Sequence, residues 1–197
     1  MSILDHIRQR AASNIQHIVL PEGEDPRTVA AASSATRQRL ARITVLGDEE
    51  KVRAAARQAG ADLGGVELID HARASDFEKM ISLLYDARRA KGLTMDEARN
   101  ALRDPLYYGN LMVRAGRADG SVAGATNTTS HTVRAALQCI DVRPGFKLVS
   151  SFFLMALRDP NVGHNGAMIF ADCGVVIEPS AAELAKPPPR GQICSMG

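Results

Sequence analysis

Short apolar runs, each followed by a helix-start signal, restrict what this chain can fold into more than any other feature does. Residues 17–20 (HIVL) read as a short buried strand. The chain then passes through PEGED, where Asp25 stands as an N-cap before Pro26 at the first helical position. The Ala-rich segment that follows continues as a helix to about Leu40. Residues 42–46 (RITVL) form the next strand, Gly47 and Asp48 stop it, and residues 49–59 are helical. Residues 66–69 (VELI) give a third short strand. Short strands that alternate with helices predict a mostly parallel sheet with helices on both faces, a three-layer α/β/α fold.

The middle of the chain reads as helical. Ser75 and Glu78 have capping-box spacing, and Phe77, Ile81, Leu84, Tyr85 and Arg88 then fall along one face of a long helix that Gly92 ends. Thr94 and Glu97 repeat the signature, and Asp104-Pro105 starts a third helix running to about Ala115.

Residues 118–135 (ADGSVAGATNTTSHTVRA) carry the chemistry. An apolar run over 121–125 leads through Gly124 into small polar residues at 126–130, and residues 132–140 are helical with Arg134 early in that segment. A strand opening into a polar turn and a helix start presents backbone N–H groups to an anion. The hydroxyls of Thr128, Thr129 and Ser130, with a nearby arginine, would add charge-assisted bonds to phosphate oxygens. By spacing alone a solvated connection explains such a turn at least as well. Arg88, Arg89 and Lys91 close the long helix, where cations meet the negative end of the dipole. Arg27 lies in a first helical turn, where the same dipole disfavours a cation. Function and pairing with Glu22, Glu24 or Asp25 account for it equally well.

The remaining composition excludes several classes. Lys and Arg number 24 against 22 Asp and Glu, so a net charge of +2 makes no case for nucleic acid, and 4% aromatic residues provide no stacking platform. Cys139, Cys173 and Cys194 form no metal or disulfide pattern, and Cys139 and Cys173 read as buried small hydrophobes. His17, His131 and His164 share no metal spacing and read as surface or packing residues. No dinucleotide fingerprint, Walker loop or nucleophile elbow is present. Without a signal-peptide core or a long apolar run, the expected location is the cytoplasm, with no membrane partner.

Beyond a turn at Pro144-Gly145 come two strand candidates, residues 147–156 and 167–171, joined by a loop-like RDPNVGHNG. This segment reads either as a hairpin or as a crossing into a second domain. The expected organisation is a first α/β domain over 1–144, the start of a second α/β domain over 145–185, and a tail over 186–197. A helix start at 179–185 meets three consecutive prolines, which cannot continue it, so the chain reads as unfinished.

Six collinear segments resemble phosphate acetyltransferases: IVLPEGEDPRT (18–28), ITVLGDEE (43–50), residues 85–94, DPLYYGNLMVRAGRADGSVAGATNTTSHTVRAALQ (104–138), VSSFFLM (149–155) and IFADCGV (169–175). The resemblance runs from about Ile18 to Ala185 and implies two α/β domains with a cleft between them, usually in a homodimer. It implies acetyl transfer between coenzyme A and phosphate through acetyl phosphate, with coenzyme A as substrate, no cofactor and no metal. By position it implies that Arg88 and Arg134 bind coenzyme A phosphates. It likewise implies that Asn127, Thr128, Thr129, Ser130 and Arg27 line the acetyl phosphate site.

The chain differs from the family pattern in Ala135, where Pro is common, and in His131, where an acidic or small residue is usual. The family's catalytic Ser-Arg pair and Asp base match nothing here, so no catalytic residue is assigned and transferase activity is expected to be impaired. Two other readings stand beside this one. One is a phosphate butyryltransferase-like enzyme; the other is a non-catalytic acyl-CoA-sensing domain like those fused to some malic enzymes.

Overall fold

The computed structural model describes residues 2–142, 149–173 and 175. The apolar runs become β1 (Gln16–Leu20), β2 (Ala41–Leu46) and β3 (Glu67–Ile69), and β4 (Gly120–Ser121) joins them. All neighbours pair in parallel, in the order β3-β2-β1-β4. Strand alternation divides the core into two layers. Val19 and Leu46 face one layer, while Leu20, Ile43 and Val45 face the other.

Helices α2 (Pro26–Arg37) and α3 (Glu49–Ala59) cover the second face through Val29, Ala32, Val52, Ala55 and Ala56. The first face is covered by α4 (Phe77–Arg88), α5 (Met95–Ala101), α6 (Pro105–Arg114) and α7 (Thr129–Cys139). The three-layer α/β/α reading therefore holds. The helix α1 (Ile3–Ser13) precedes the sheet and buries no side chain.

The topology fixes where a ligand belongs. From β1 the chain winds outward through β2 and β3, then crosses back to place β4 on the other side of β1. The loops after β1 and β4 thus leave adjacent strand ends in a parallel sheet where the winding reverses. Open α/β sheets bind ligands in the crevice at such a switch point.

Most boundaries match the sequence reading, and the differences have local causes. Helix α2 stops at Arg37 instead of Leu40, because the N–H of Leu40 turns back to the carbonyl of Ala35. The Ser75–Glu78 capping box does not form. Asp76 is the N-cap of α4 without capping through its side chain; its carboxylate accepts from Tyr108 Oη at 2.6 Å and also pairs with Arg117, while Glu78 pairs with Arg99. The box at Thr94 and Glu97 is complete. The strand read over 121–125 is limited to Gly120–Ser121, because the backbone from Gly124 onward bonds to a side chain. Helix α7 starts three residues earlier than read, capped by Thr128.

The chain divides into two units, residues 10–141 and residues 1–9 with 142–197. In the second, β5 (Phe152–Ala156) and β6 (Ala167–Ala171) form an antiparallel hairpin with exposed side chains along both strands. That settles the hairpin alternative for this segment. Cys173, read as buried, is only partly so, since it follows directly on this exposed hairpin. The Pro144-Gly145 turn, the first residues of the strand read from 147, the helix start at 179–185 and the tail lie outside the described residues.

Candidate anion site at the ends of β1 and β4

The loop after β1 is held down before it reaches any ligand. The Gly23 N–H donates to the carbonyl of Leu46 at 3.0 Å. A Cβ at Gly23 would lie 2.2 Å from Val45 Cγ1, so only glycine allows this approach. The side chain of Glu22 is thereby turned toward the neighbouring loop, the one that follows β4. Gly124 in that loop takes φ +114, which favours glycine and lets the chain curl around an acceptor.

The acceptor is Glu22. One carboxylate oxygen receives the N–H groups of Gly124 and Ala125, both at 2.7 Å. The other receives the N–H of Thr126 at 2.9 Å and that of Asn127 at 2.8 Å. Thr126 Oγ1 and Asn127 Nδ2 donate to the same oxygen at 3.0 and 2.9 Å. Glu22 is only 7% exposed. Burial alone would push its carboxyl up, but the converging donors from Thr126, Ala125 and Asn127 reverse this and hold it at about 2.

Arg27 completes a second tie. Of the three partners open to it, its guanidinium takes Asp25, with Nε 3.0 Å from Oδ1 and Nη2 2.8 Å from Oδ2. It also donates to the carbonyl of Ala125. Asp25 caps α2 through the Arg27 N–H at 2.8 Å, and its hydrogen bonds to Arg27 hold its carboxyl at about 2 despite some opposing desolvation. Beside these ties lies an open cleft of about 300 Å³ lined by Glu22, Gly23, Glu24, Asp25, Pro26 and Thr126. Three carboxylates on one rim oppose a phosphate there.

The anion-competent surface begins three residues further along. Thr128 caps α7, its Oγ1 accepting from the His131 N–H at 3.3 Å. Thr129 and Ser130 are exposed in the first turn, and their N–H groups meet no acceptor among the described residues. Such a helix start attracts an anion. His131 is not a free surface residue: its Nε2 lies 2.6 Å from Asp104 Oδ2, while Asp104 Oδ1 caps α6. His17 is a packing residue, buried with Nε2 2.7 Å from Thr44 Oγ1.

The two arginines read as coenzyme A ligands both influence one residue of α6. Both Arg134 and Arg88 lie near enough to Tyr107 to act against the rise that burial causes in its pKa. Tyr107 Oη donates to Gln138 on α7 at 3.0 Å. Arg134 is exposed and has no hydrogen-bond or ion-pair partner among the described residues. Arg88 is mostly buried, 3.8 Å from Asp141 Oδ2, and its Nη1 makes no hydrogen bond. Cys139, whose Sγ donates to the carbonyl of Tyr107 at 3.6 Å, has its thiol pushed up to about 12 by burial, which suits packing and not nucleophilic attack.

The predicted residues therefore fall into three groups. Thr128, Thr129 and Ser130 share an open helix start, the charges of Arg88 and Arg134 both act on Tyr107, and Asn127 and Arg27 are engaged internally. Along the sequence Glu22 reads only as a partner for Arg27. The signal that could have found it is an acid at a strand end, directly before a glycine that must pack against the next strand.

Comparison with known proteins identifies relatives of the chain. Residues 2–187 match the family described as phosphate acetyl/butaryl transferase. The chain is 43% identical over 186 residues to a phosphate acetyltransferase of Acetivibrio thermocellus, covering 94% of this chain and 55% of that protein. It is also 43% identical over 185 residues to one of Paracoccus denitrificans, covering 94% and 54%. A solved phosphotransacetylase from Streptococcus pyogenes superposes with a TM-score of 0.84 at 36% identity, covering 94% of this chain and 56% of that one. One from Staphylococcus aureus gives a TM-score of 0.80 at 33% identity, covering 92% and 53%. The chain spans about half the length of each of these four relatives. Among the described residues no helix is long and apolar enough to cross a membrane, and no group of His, Cys, Asp or Glu is arranged to hold a metal ion.

Proposed function

The chain belongs to the phosphate acetyl/butaryl transferase family, and from that membership we propose that it serves acetyl transfer between acetyl-CoA and inorganic phosphate. In that reaction the coenzyme A thiolate attacks the carbonyl of acetyl phosphate and phosphate leaves. The chemistry needs a base for the thiol, donors for the developing oxyanion and cations for the phosphates. This chain supplies the last of these. The exposed first turn of α7, with Thr128, Thr129 and Ser130, receives the phosphoryl oxygens of acetyl phosphate, and Arg134 and Arg88 receive the phosphates of coenzyme A.

One observation carries the reading: the open N–H groups of Thr129 and Ser130 and the unpartnered guanidinium of Arg134 lie on one helix at the sheet's switch point. Coenzyme A acts here as a substrate and no cofactor is required. From the family resemblance we also carry over a cytoplasmic location and a homodimer.

Calorimetric titration of the full chain with coenzyme A tests it. Saturable binding is expected, weakened at least tenfold in Arg134→Ala. An affinity unchanged by that substitution removes the arginine from the site.

A further inference from the structure

The loop that looks most like a phosphate cradle is already filled. Four successive N–H groups, from Gly124 to Asn127, converge with Thr126 Oγ1 and Asn127 Nδ2 on a single acceptor, the carboxylate of Glu22. This is the geometry of an anion-binding nest, with a side chain of the same protein in the place of the ligand. We propose that Glu22 is a positioning residue: a built-in anion that fixes the loop after β4, sets the start of α7 and directs incoming phosphate onto Thr129 and Ser130.

The physical argument has two parts. Without an anion, a run of four inward-pointing N–H groups repels itself, and the loop opens toward water. A carboxylate that is 7% exposed and bonded six times holds it instead. The loop ends at Thr128, whose hydroxyl caps α7, so fixing Asn127 fixes where the first helical turn begins. The second part is exclusion. With its charge neutralised by Glu22, and with Glu24 and Asp25 on the adjacent rim, the nest does not attract a second anion. The nearest uncommitted donors are those of Thr129 and Ser130. Arg27 reinforces the arrangement from outside by joining Asp25 to the carbonyl of Ala125.

The role rests on the reading of 128–130 as the phosphate side of the site, and the test separates the two. The chain with its wild-type sequence, Glu22→Gln and Glu22→Ala is compared by amide hydrogen exchange and by titration with inorganic phosphate and with coenzyme A. In Glu22→Gln, which keeps the size of the side chain, exchange at 124–127 should speed up at least tenfold. Phosphate affinity should fall at least fivefold, and coenzyme A affinity should stay within twofold. In Glu22→Ala, added formate should restore protection and phosphate affinity, whereas neutral formamide should not; a packing role would show no such rescue.

Unchanged exchange in Glu22→Gln, absence of formate rescue, or equal losses for phosphate and coenzyme A would overturn the proposal. Should Glu22→Ala fail to fold, the Glu22→Gln exchange rates decide. If the wild-type chain takes up no phosphate, the functional reading of 128–130 fails, while exchange and formate rescue still decide the part played by Glu22 in holding the loop.

Discussion

Residues 124–127 and residues 128–130 are neighbours in one polar turn, yet the structure treats them in opposite ways. The N–H groups of the first four close on Glu22. In the next three, one hydroxyl caps a helix while two N–H groups face outward without an acceptor. Abundance of donors therefore does not identify a ligand site. What matters is whether the fold supplies an internal acceptor, and here a strand end next door supplies one for half of the turn only.

The largest effect that can break this contrast is loss of the internal acceptor. Glu22→Ala leaves its donors facing a partly buried space and should lower stability by about 3 kcal/mol. Ser130→Ala, on the open half, should change it by no more than about 0.5 kcal/mol. Urea unfolding of both variants measures the difference, and similar losses would mean that the two halves are not distinct.

Acid sharpens the same comparison. The Glu22 carboxyl is held at about 2 in the folded chain and returns to the ordinary carboxylate range when unfolded. Its contribution is fully present above about pH 4.5 and is lost as pH falls through the folded value, amounting to at most about 3 kcal/mol. Glu22→Gln should therefore remove part of the slope of stability against pH between about 4.5 and 2. An unchanged slope would show that the carboxylate is not held as described. Smaller still, Thr128→Ala should cost about 1 kcal/mol as a lost N-cap. Arg134→Ala, on an exposed and unpartnered side chain, should leave the melting temperature within about 2 °C of wild type.

Much of the fold was legible because its signals are local. Asp25-Pro26, Thr94 with Glu97, and Asp104-Pro105 all cap the helices they announce, and Asp48, read only as the stop of a strand, caps the next helix as well. The alternation of β1, α2, β2, α3 and β3 required a parallel sheet. Ser75 misled because the neighbouring acid, Asp76, is claimed by Tyr108 and Arg117, residues far away in sequence. The site was half legible for the same reason. Thr128 to Ser130 and Arg134 sit in a pattern read along the chain, whereas Glu22 meets its donors about a hundred residues away, across two adjacent parallel strands. Spacing within one segment cannot reveal a contact that sheet order creates.

The most direct measurement follows the backbone amide resonances of the chain during titration with inorganic phosphate. The account predicts that the Thr129 and Ser130 amides shift saturably while those of Gly124 to Asn127 stay in place. Movement of the latter group with phosphate, at the expense of the Glu22 contacts, would contradict it.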